Sequence, residues 1–413
     1  MSKLEELIKE LCPDGVEYKT LGELGKFYSG LSGKTKDDFT DGNERFITYM
    51  NVFSNISIKV DVKDFVKISK GEKQNTIQYG DVIFTGSSET PNECGMSSVL
   101  TIKTCEKLYL NSFCFGFRFF DSEIYNPDFS KYMFRSINLR KQIVKTASGV
   151  TRFNVSKKKM EKVRIPILPL AIQQEIVRIL ENLTDVTEKI KTKLQEEIKA
   201  RKKQYEYYRE ELLAFRKHNV NWITLGEIGP VCMCKRIMKA QTNANGEVPF
   251  YKIGTFGKEA NAYISKEIYE KYKNTYKFPK KGDILISAAG TIGRTIVYNG
   301  EPAYFQDSNI VWIDNDESKV SNKFLIYCYA MNPWAISTGG TIARLYNSNI
   351  SNARIPAPSL EIQEKIVSII EKIDLIYSQI IKKILDEIEA RQKQYEYYRD
   401  KLLSFKELKK EGV

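Results

Sequence analysis

The amino-acid sequence predicts an α+β protein built twice over: two α/β domains alternate with two long helices that pair as an antiparallel intramolecular coiled coil, in a pseudo-twofold repeat. Three observations predict it. Residues 164–215 align without a gap to 354–405, an offset of 190, and 26 of the 52 positions are identical. Both copies carry apolar residues in steps of three and four, the mark of a long helix with one narrow apolar seam. The stretch before each copy is a series of short β-rich runs broken by Gly, Asn and Asp, the pattern of a mixed domain.

In chain order, a short helix over residues 1–12 opens a first domain that reaches residue 163. Its β-rich runs include Asp81–Thr85 and Cys114–Phe120, and Lys131–Lys145 reads as helical. Residues 164–219 hold the first long helix, with a seam through Ile172, Ile176, Ile179, Leu183, Val186, Ile190, Leu194 and Ile198 that resumes at Tyr205, Tyr208, Leu212 and Phe215. The second domain spans 220–353, with β-rich runs at Asp283–Ser287 and Asn309–Ile313 and a helix over Asn322–Ala330. The second long helix, 354–413, keeps the register through Ile362, Ile366, Ile369, Ile373, Ile376, Ile380, Ile384 and Ile388, then Tyr395, Tyr398, Leu402 and Phe405.

A helix of about 45 residues is about 67 Å long and needs a partner along its seam. The other copy is the natural partner, because both share a departure from the heptad, three successive steps of four at Val186–Ile198 and Ile376–Ile388. Pro166 and Pro356, suited to the start of a helix and not its interior, precede them. Tyr205 and Tyr208 follow the seam, whereas Tyr207 points elsewhere, as Tyr397 does in its copy. Tyr207 and Arg209, with Tyr397 and Arg399, are therefore the candidate surface on which a partner docks twice. A purely structural spacer is the alternative reading of these helices.

The two domains share a frame and differ in detail. Thr20-Leu21-Gly22-Glu23 recurs as Thr224-Leu225-Gly226-Glu227, and Gly80-Asp81 recurs as Gly282-Asp283, at offsets of 204 and 202.

The 413 residues are 42% hydrophobic and 28% charged, which excludes a disordered or fibrous chain. No apolar run approaches the roughly 18 residues that span a bilayer, and the first residues are not a signal peptide, so a cytoplasmic protein is expected. Seven scattered cysteines indicate neither a disulfide framework nor a zinc ribbon, and the single histidine, His218, reads as a solvated linker residue.

Lys and Arg outnumber Asp and Glu 64 to 52, for a net charge of +12. An anionic partner follows as a possibility, DNA or a membrane surface. The excess is concentrated in the domains, +5 in residues 1–170 and +5 in 221–360. Residues 131–164 alone carry eleven basic side chains against one acidic, including Arg140, Lys141, Lys145, Arg152, Lys157 and Lys158, a composition that fits phosphate contact. In the second domain Arg236 and Lys239 belong to a comparable stretch. Base readout needs Arg, Asn, Gln, Ser and Thr on groove-facing loops. The candidates are Ser87, Ser88, Asn92, Arg152 and Asn154 in the first domain, and Gln241, Thr242, Arg294, Arg344 and Asn347 in the second.

Motifs of chemistry are incomplete. Gly30-Leu31-Ser32-Gly33-Lys34-Thr35 has Tyr28 where a phosphate-binding loop needs its first glycine. Asn332-Pro333-Trp334 falls short of the Asn-Pro-Pro-aromatic motif of amino-methyltransferases. The expectation is a non-catalytic chain with no metal and no cofactor.

This layout resembles the specificity (S) subunit of bacterial type I restriction–modification systems over essentially the whole chain. The most specific features are the Thr-Leu-Gly-Glu openings at Thr20 and Thr224, the Gly-x-x-x-Arg run Gly340–Arg344 with the looser Gly149–Arg152, and the repeated helices. The resemblance implies two target recognition domains, each reading one half of a bipartite site in double-stranded DNA, with the helices fixing the distance between halves. It implies as partners two methyltransferase (M) subunits and, in the full complex, restriction (R) subunits, with no membrane. A coiled-coil scaffold binding proteins or an anionic membrane at its globular ends is the alternative.

Overall fold

The structure, a computed structural model, describes residues 2–215, 220–335 and 344–408. Two units emerge, Met1–Leu194 with Asp386–Val413, and Gln195–Leu385. His218 and residues 340–343 lie outside the described residues.

The first unit is built on a four-stranded antiparallel sheet in the order Gly25–Ser29, Cys114–Phe119, Val82–Thr85, Ser97–Val99. A second sheet has the order Phe65–Val66, Glu44–Ile47, Leu108–Leu110, Thr76–Ile77, its central pair parallel. The second unit repeats the plan. Its main sheet runs Val231–Met233, Ile310–Ile313, Ile284–Ser287, Thr295–Val297, and its smaller sheet Tyr263–Ile264, Val248–Tyr251, Tyr304–Phe305 again contains one parallel pair. The register is shared: Val82 faces Val99, and Ile284 faces Val297.

The short sequence echoes are the joints of this frame. Thr20 and Thr224 each cap a turn with the Glu three residues on, backbone N–H to carboxylate at 2.7 and 2.6 Å. Gly80 and Gly282 adopt positive φ (87° and 95°), which a side chain would resist, and the next residues, Asp81 and Asp283, accept the N–H of Gln78 and Lys280.

Each long helix begins in a core. Ile172, Ile176 and Leu180 pack with Phe84, Phe117, Phe129 and Phe134 in the first unit, and Ile366, Val367 and Ile370 pack with Ile286, Val311 and Phe324 in the second. Buried glutamines at equivalent positions fasten these starts. Gln173 donates to the Ile124 and Leu168 carbonyls at 3.0 and 2.7 Å and accepts from the Asn126 N–H at 2.8 Å. Gln363 donates to Lys319 and Pro358 at 2.8 and 2.9 Å and accepts from Ser321 at 2.9 Å. The helices span Leu170–Ala214 and Leu360–Leu402. Within the first unit Thr184 meets Tyr395; within the second Tyr205 meets Asp374, so the pairing is antiparallel in both.

Three details differ from the sequence reading. Pro166 and Pro356 lie in strands, not at helix starts: Arg164–Ile167 pairs with Glu17–Thr20, and Arg354–Pro356 with Trp222–Thr224, so the helices begin a few residues later. Lys131–Lys145 is two helices, Pro127–Met133 and Ile137–Val144, because Arg135 at the break sends its guanidinium to the carbonyls of Ser97, Val52, Phe53 and Asn55. The seam passes through Thr187 and Tyr377, leaving Val186 and Ile376 54% and 55% exposed. Tyr377 stacks on Tyr205 at 4.5 Å, and Leu183, Thr187, Ile190 and Leu194 alternate in steps of four, three and four, so the run of three steps of four from Val186 is not the path of the buried seam. Tyr208 and Tyr398 likewise point outward.

Candidate nucleic-acid interface

In the first unit a cleft of about 500 Å³ is walled by the helix Tyr49–Ser54, the strand Ser87–Ser88 and Phe113. Ser87–Ser88 pairs with Phe153–Val155, Asn154 opposite Ser87, and this pairing brings Arg152 over the cleft. The Arg152 Nε donates to Ser87 Oγ at 3.1 Å, and its guanidinium lies 5.5 Å from the Phe113 ring. Tyr49 donates to the Ser87 carbonyl at 2.9 Å and stacks on Phe53. Of the predicted readers, Ser87, Ser88 and Arg152 come together here, with Asn154 exposed beside them.

The basic residues of this unit divide into two kinds. Lys141, Lys145 and Lys158 are exposed and have no ion-pair partner among the described residues, as a phosphate-contacting cation should be. Lys157 is half-buried, donates to Ser29 Oγ at 2.6 Å and has its pKa lowered by burial. Arg140 faces inward, contrary to its expected place in a phosphate patch. Its guanidinium donates to the carbonyls of Asn92 and Cys94 at 2.9 and 2.7 Å and to that of Gly95, so it holds the 92–95 loop in shape, and burial lowers its pKa. Asn92 enters through its backbone, its side chain exposed.

In the second unit a cleft of about 400 Å³ gathers Arg236, Lys239, Thr242 and Arg344 with Lys252, Gln306, Asp307, Ser308 and Asn309. Arg236 pairs with Asp307 at 2.8 Å. Arg344 donates to the Ser308 carbonyl at 2.8 Å. Ser308 and Phe113 sit at corresponding places, each in the loop that leads from the smaller sheet into the main one. Arg152 and Arg344 therefore each contact the corresponding loop of the shared frame. Gln241 is turned from the cleft toward Tyr272 at 3.3 Å, Arg294 donates to the Phe256 carbonyl outside it, and Asn347 opens the short helix Asn347–Ser351 on the surface.

Side chains not anticipated complete both clefts: Tyr49, Phe53 and Phe113 in the first, Gln306, Asp307 and Asn309 in the second. For Phe113, Gln306, Asp307 and Asn309 the sequence signal was a position in turns beside β-rich runs, whereas Tyr49 and Phe53 lie on the helix Tyr49–Ser54 and carried no such signal. The clefts offer different groups to a ligand, aromatic faces and carboxylates (Glu89, Glu93) in one, cationic and amide groups in the other.

On the helices, Tyr207 and Tyr397 are exposed, each edge-on to the following tyrosine at 5.6 and 5.3 Å. Arg209 and Arg399 are half-buried instead. Arg209 donates to the Tyr205 hydroxyl at 3.0 Å and lies over Tyr327, and Arg399 is paired with Asp400 at 3.0 Å.

A duplicated frame whose two copies carry chemically different clefts fits a DNA specificity protein. The model of the type I restriction modification DNA specificity domain matches twice, at residues 13–200 and 218–390. The chain belongs to this family and is a DNA-sequence specificity subunit of the type I restriction–modification class. It is 52% identical over 262 residues to a putative type I restriction enzyme specificity subunit of Haemophilus influenzae, covering 62% of this chain and 68% of that one. It is 32% identical over 253 residues to the EcoR124I/EcoR124II specificity subunit of Escherichia coli, covering 58% and 61%. The fold matches the HsdS subunit of Thermoanaerobacter tengcongensis at a TM-score of 0.55 and 20% identity, over 95% of this chain and 96% of that one. It also matches a chain from a type I system described for its complex assembly and conformational transition, at a TM-score of 0.69 and 19% identity, over 95% and 98%.

Proposed function

We propose that the chain is a non-catalytic reader of a split double-stranded DNA target, its first recognition domain (residues 1–163) reading one half and its second (220–353) the other. The observation that carries this is the equivalent placing of Arg152 and Arg344 against the same loop of two otherwise different clefts. Two readers on one frame, chemically unlike, are what a bipartite site of unlike halves requires. Exposed lysines such as Lys141 and Lys158 supply sequence-independent phosphate contact, and the clefts supply base-edge readout.

The long helices of the segments 164–219 and 354–413, Leu170–Ala214 and Leu360–Leu402, set the spacing between halves and dock two methyltransferase subunits. Tyr207 and Tyr397 are the repeated contacts, while Arg209 and Arg399 act by holding the helix surface in shape. Restriction subunits join the larger complex, which works in the cytoplasm and away from membranes; no helix among the described residues is long and apolar enough to cross one.

The test is co-expression with a type I methyltransferase subunit from the same genome, followed by methylome sequencing. A split methylated motif is expected. Exchange of residues 220–353 for those of a relative should alter one half of that motif only, and alteration of both halves overturns independent reading.

A further inference from the structure

The shared frame makes one difference between the units informative. In the first, Ser97–Val99 is the outermost strand of the main sheet, yet Val99 is fully buried, because the segment Ile56–Ile58 lies parallel along it. The Val99 N–H donates to the Ile56 carbonyl at 3.0 Å, and the Ile58 N–H donates to the Val99 carbonyl at 2.9 Å. The register-equivalent residue of the second unit is Val297. It is 45% exposed, and its outward N–H and C=O have no partner among the described residues.

The cause is a shorter connection. After Glu44–Ile47 the first unit has the helix Tyr49–Ser54 and then the covering segment. After Val248–Tyr251 the second has a single turn, Ile253–Thr255, and the chain passes directly to Tyr263–Ile264. Where a covering segment is missing, a cavity of about 230 Å³ remains beside the strand, lined chiefly by Tyr251, Phe256, Ile296, Val297, Tyr298 and Phe305. An unpaired strand backed by an apolar cavity is the arrangement that accepts an added strand: the backbone groups give affinity and the cavity takes alternate side chains.

We propose that the Thr295–Val297 edge is a docking site for an extended segment of a partner polypeptide, bound parallel to the strand with a β-branched side chain in the cavity. The first unit supplies the pattern, Ile-Ser-Ile on the equivalent edge. Lys258 and Glu301 line the cavity, and the exposed Lys281, Arg294 and Glu259 lie in the adjoining segments, so the surroundings carry three cations against two carboxylates and favour a segment with acidic flanks. Apolar walls and backbone groups at strand spacing fit a peptide and not a phosphate backbone. This site is separate from the cleft of Arg236 and Arg344.

The probe is a fluorescent octapeptide with the chain's own sequence Asn55–Val62, and a second with Glu in place of Lys59, titrated onto the full-length protein. Both should bind, the acidic version more tightly. Val297→Pro removes the outward N–H while leaving the bonds to Ile284–Ser287, and should weaken binding about tenfold, the worth of one backbone hydrogen bond. Its thermal unfolding and its binding to duplex DNA should match wild type. Hydrogen exchange supplies a reading without mutation: the Val297 amide should gain protection with peptide and not with duplex DNA. Failure of both peptides to bind, equal binding by Val297→Pro, or protection by DNA in place of peptide would each overturn the proposal. Failure of the protein to bind DNA would count against split-site reading and leave this site standing.

Discussion

The phenol of Tyr205 donates to the carboxylate of Asp374 at 2.7 Å, and 190 residues away in each copy the same two positions are Tyr395 and Thr184, whose hydroxyls lie 3.1 Å apart. One contact is charge-assisted and its equivalent is neutral. Arg209 adds a donor to Tyr205, whereas Arg399 is turned to Asp400.

Unequal stability of the two contacts follows. Tyr205→Phe should cost about 2 kcal/mol and Tyr395→Phe about 1 kcal/mol, since hydrogen bonds to charged groups contribute about twice as much as neutral ones. Urea unfolding of the two variants measures this, and equal losses would show that the carboxylate contributes nothing.

Gln173 and Gln363 are each buried with three backbone partners, so truncation leaves polar groups without water or protein to satisfy them. Gln173→Ala or Gln363→Ala should lower stability by about 3 kcal/mol, the cost of stranded buried groups. Hydrogen exchange should localise the loosening to the first turns after Leu170 or Leu360 respectively, and a uniform change across the chain would contradict a local latch.

The cations of the first domain should separate by experiment. Arg140→Ala should lower the melting temperature, because the 92–95 carbonyls lose their donor. Arg152→Ala should melt like wild type and change the methylated sequence. Replacing Lys141, Lys145 and Lys158 together by Gln should weaken binding to every duplex alike and reduce the slope of log affinity against log salt by about 3, about one for each phosphate no longer neutralised. A salt slope that stays the same would place these lysines away from the backbone.

Glu175 is held down to about 2 by its hydrogen bonds with Arg178 and by Lys3 of the first helix, which it meets at 3.4 Å. Its folded pKa lies below its unfolded one, so it adds stability above the ordinary carboxylate range and loses it as pH falls toward about 2. The difference in melting temperature between wild type and Glu175→Gln should be present at neutral pH and vanish near pH 2. A constant difference would mean that the pairing is not the source.

Much of the architecture was legible because it was written twice. The gapless repeat located both helices, and the two short echoes marked the capping turns and the Gly-Asp turns. The seam was misread at Val186 because apolarity alone was counted, whereas Thr187 and Tyr377 occupy it by stacking and spacing. The cleft residues were only partly legible. A guanidinium aimed at carbonyls, as in Arg140, and one laid over a ring, as in Arg152, look identical in a list of basic residues, and the aromatic wall of the first cleft depends on contacts between segments far apart in sequence.

The contacts Thr184–Tyr395 and Tyr205–Asp374 share one register along both helices. A deletion or insertion within one helix between them leaves no pairing that satisfies both, and a heptad added to each restores it. If the helices are the ruler proposed above, target spacing should change by paired events, and a single length change in either helix should lower stability.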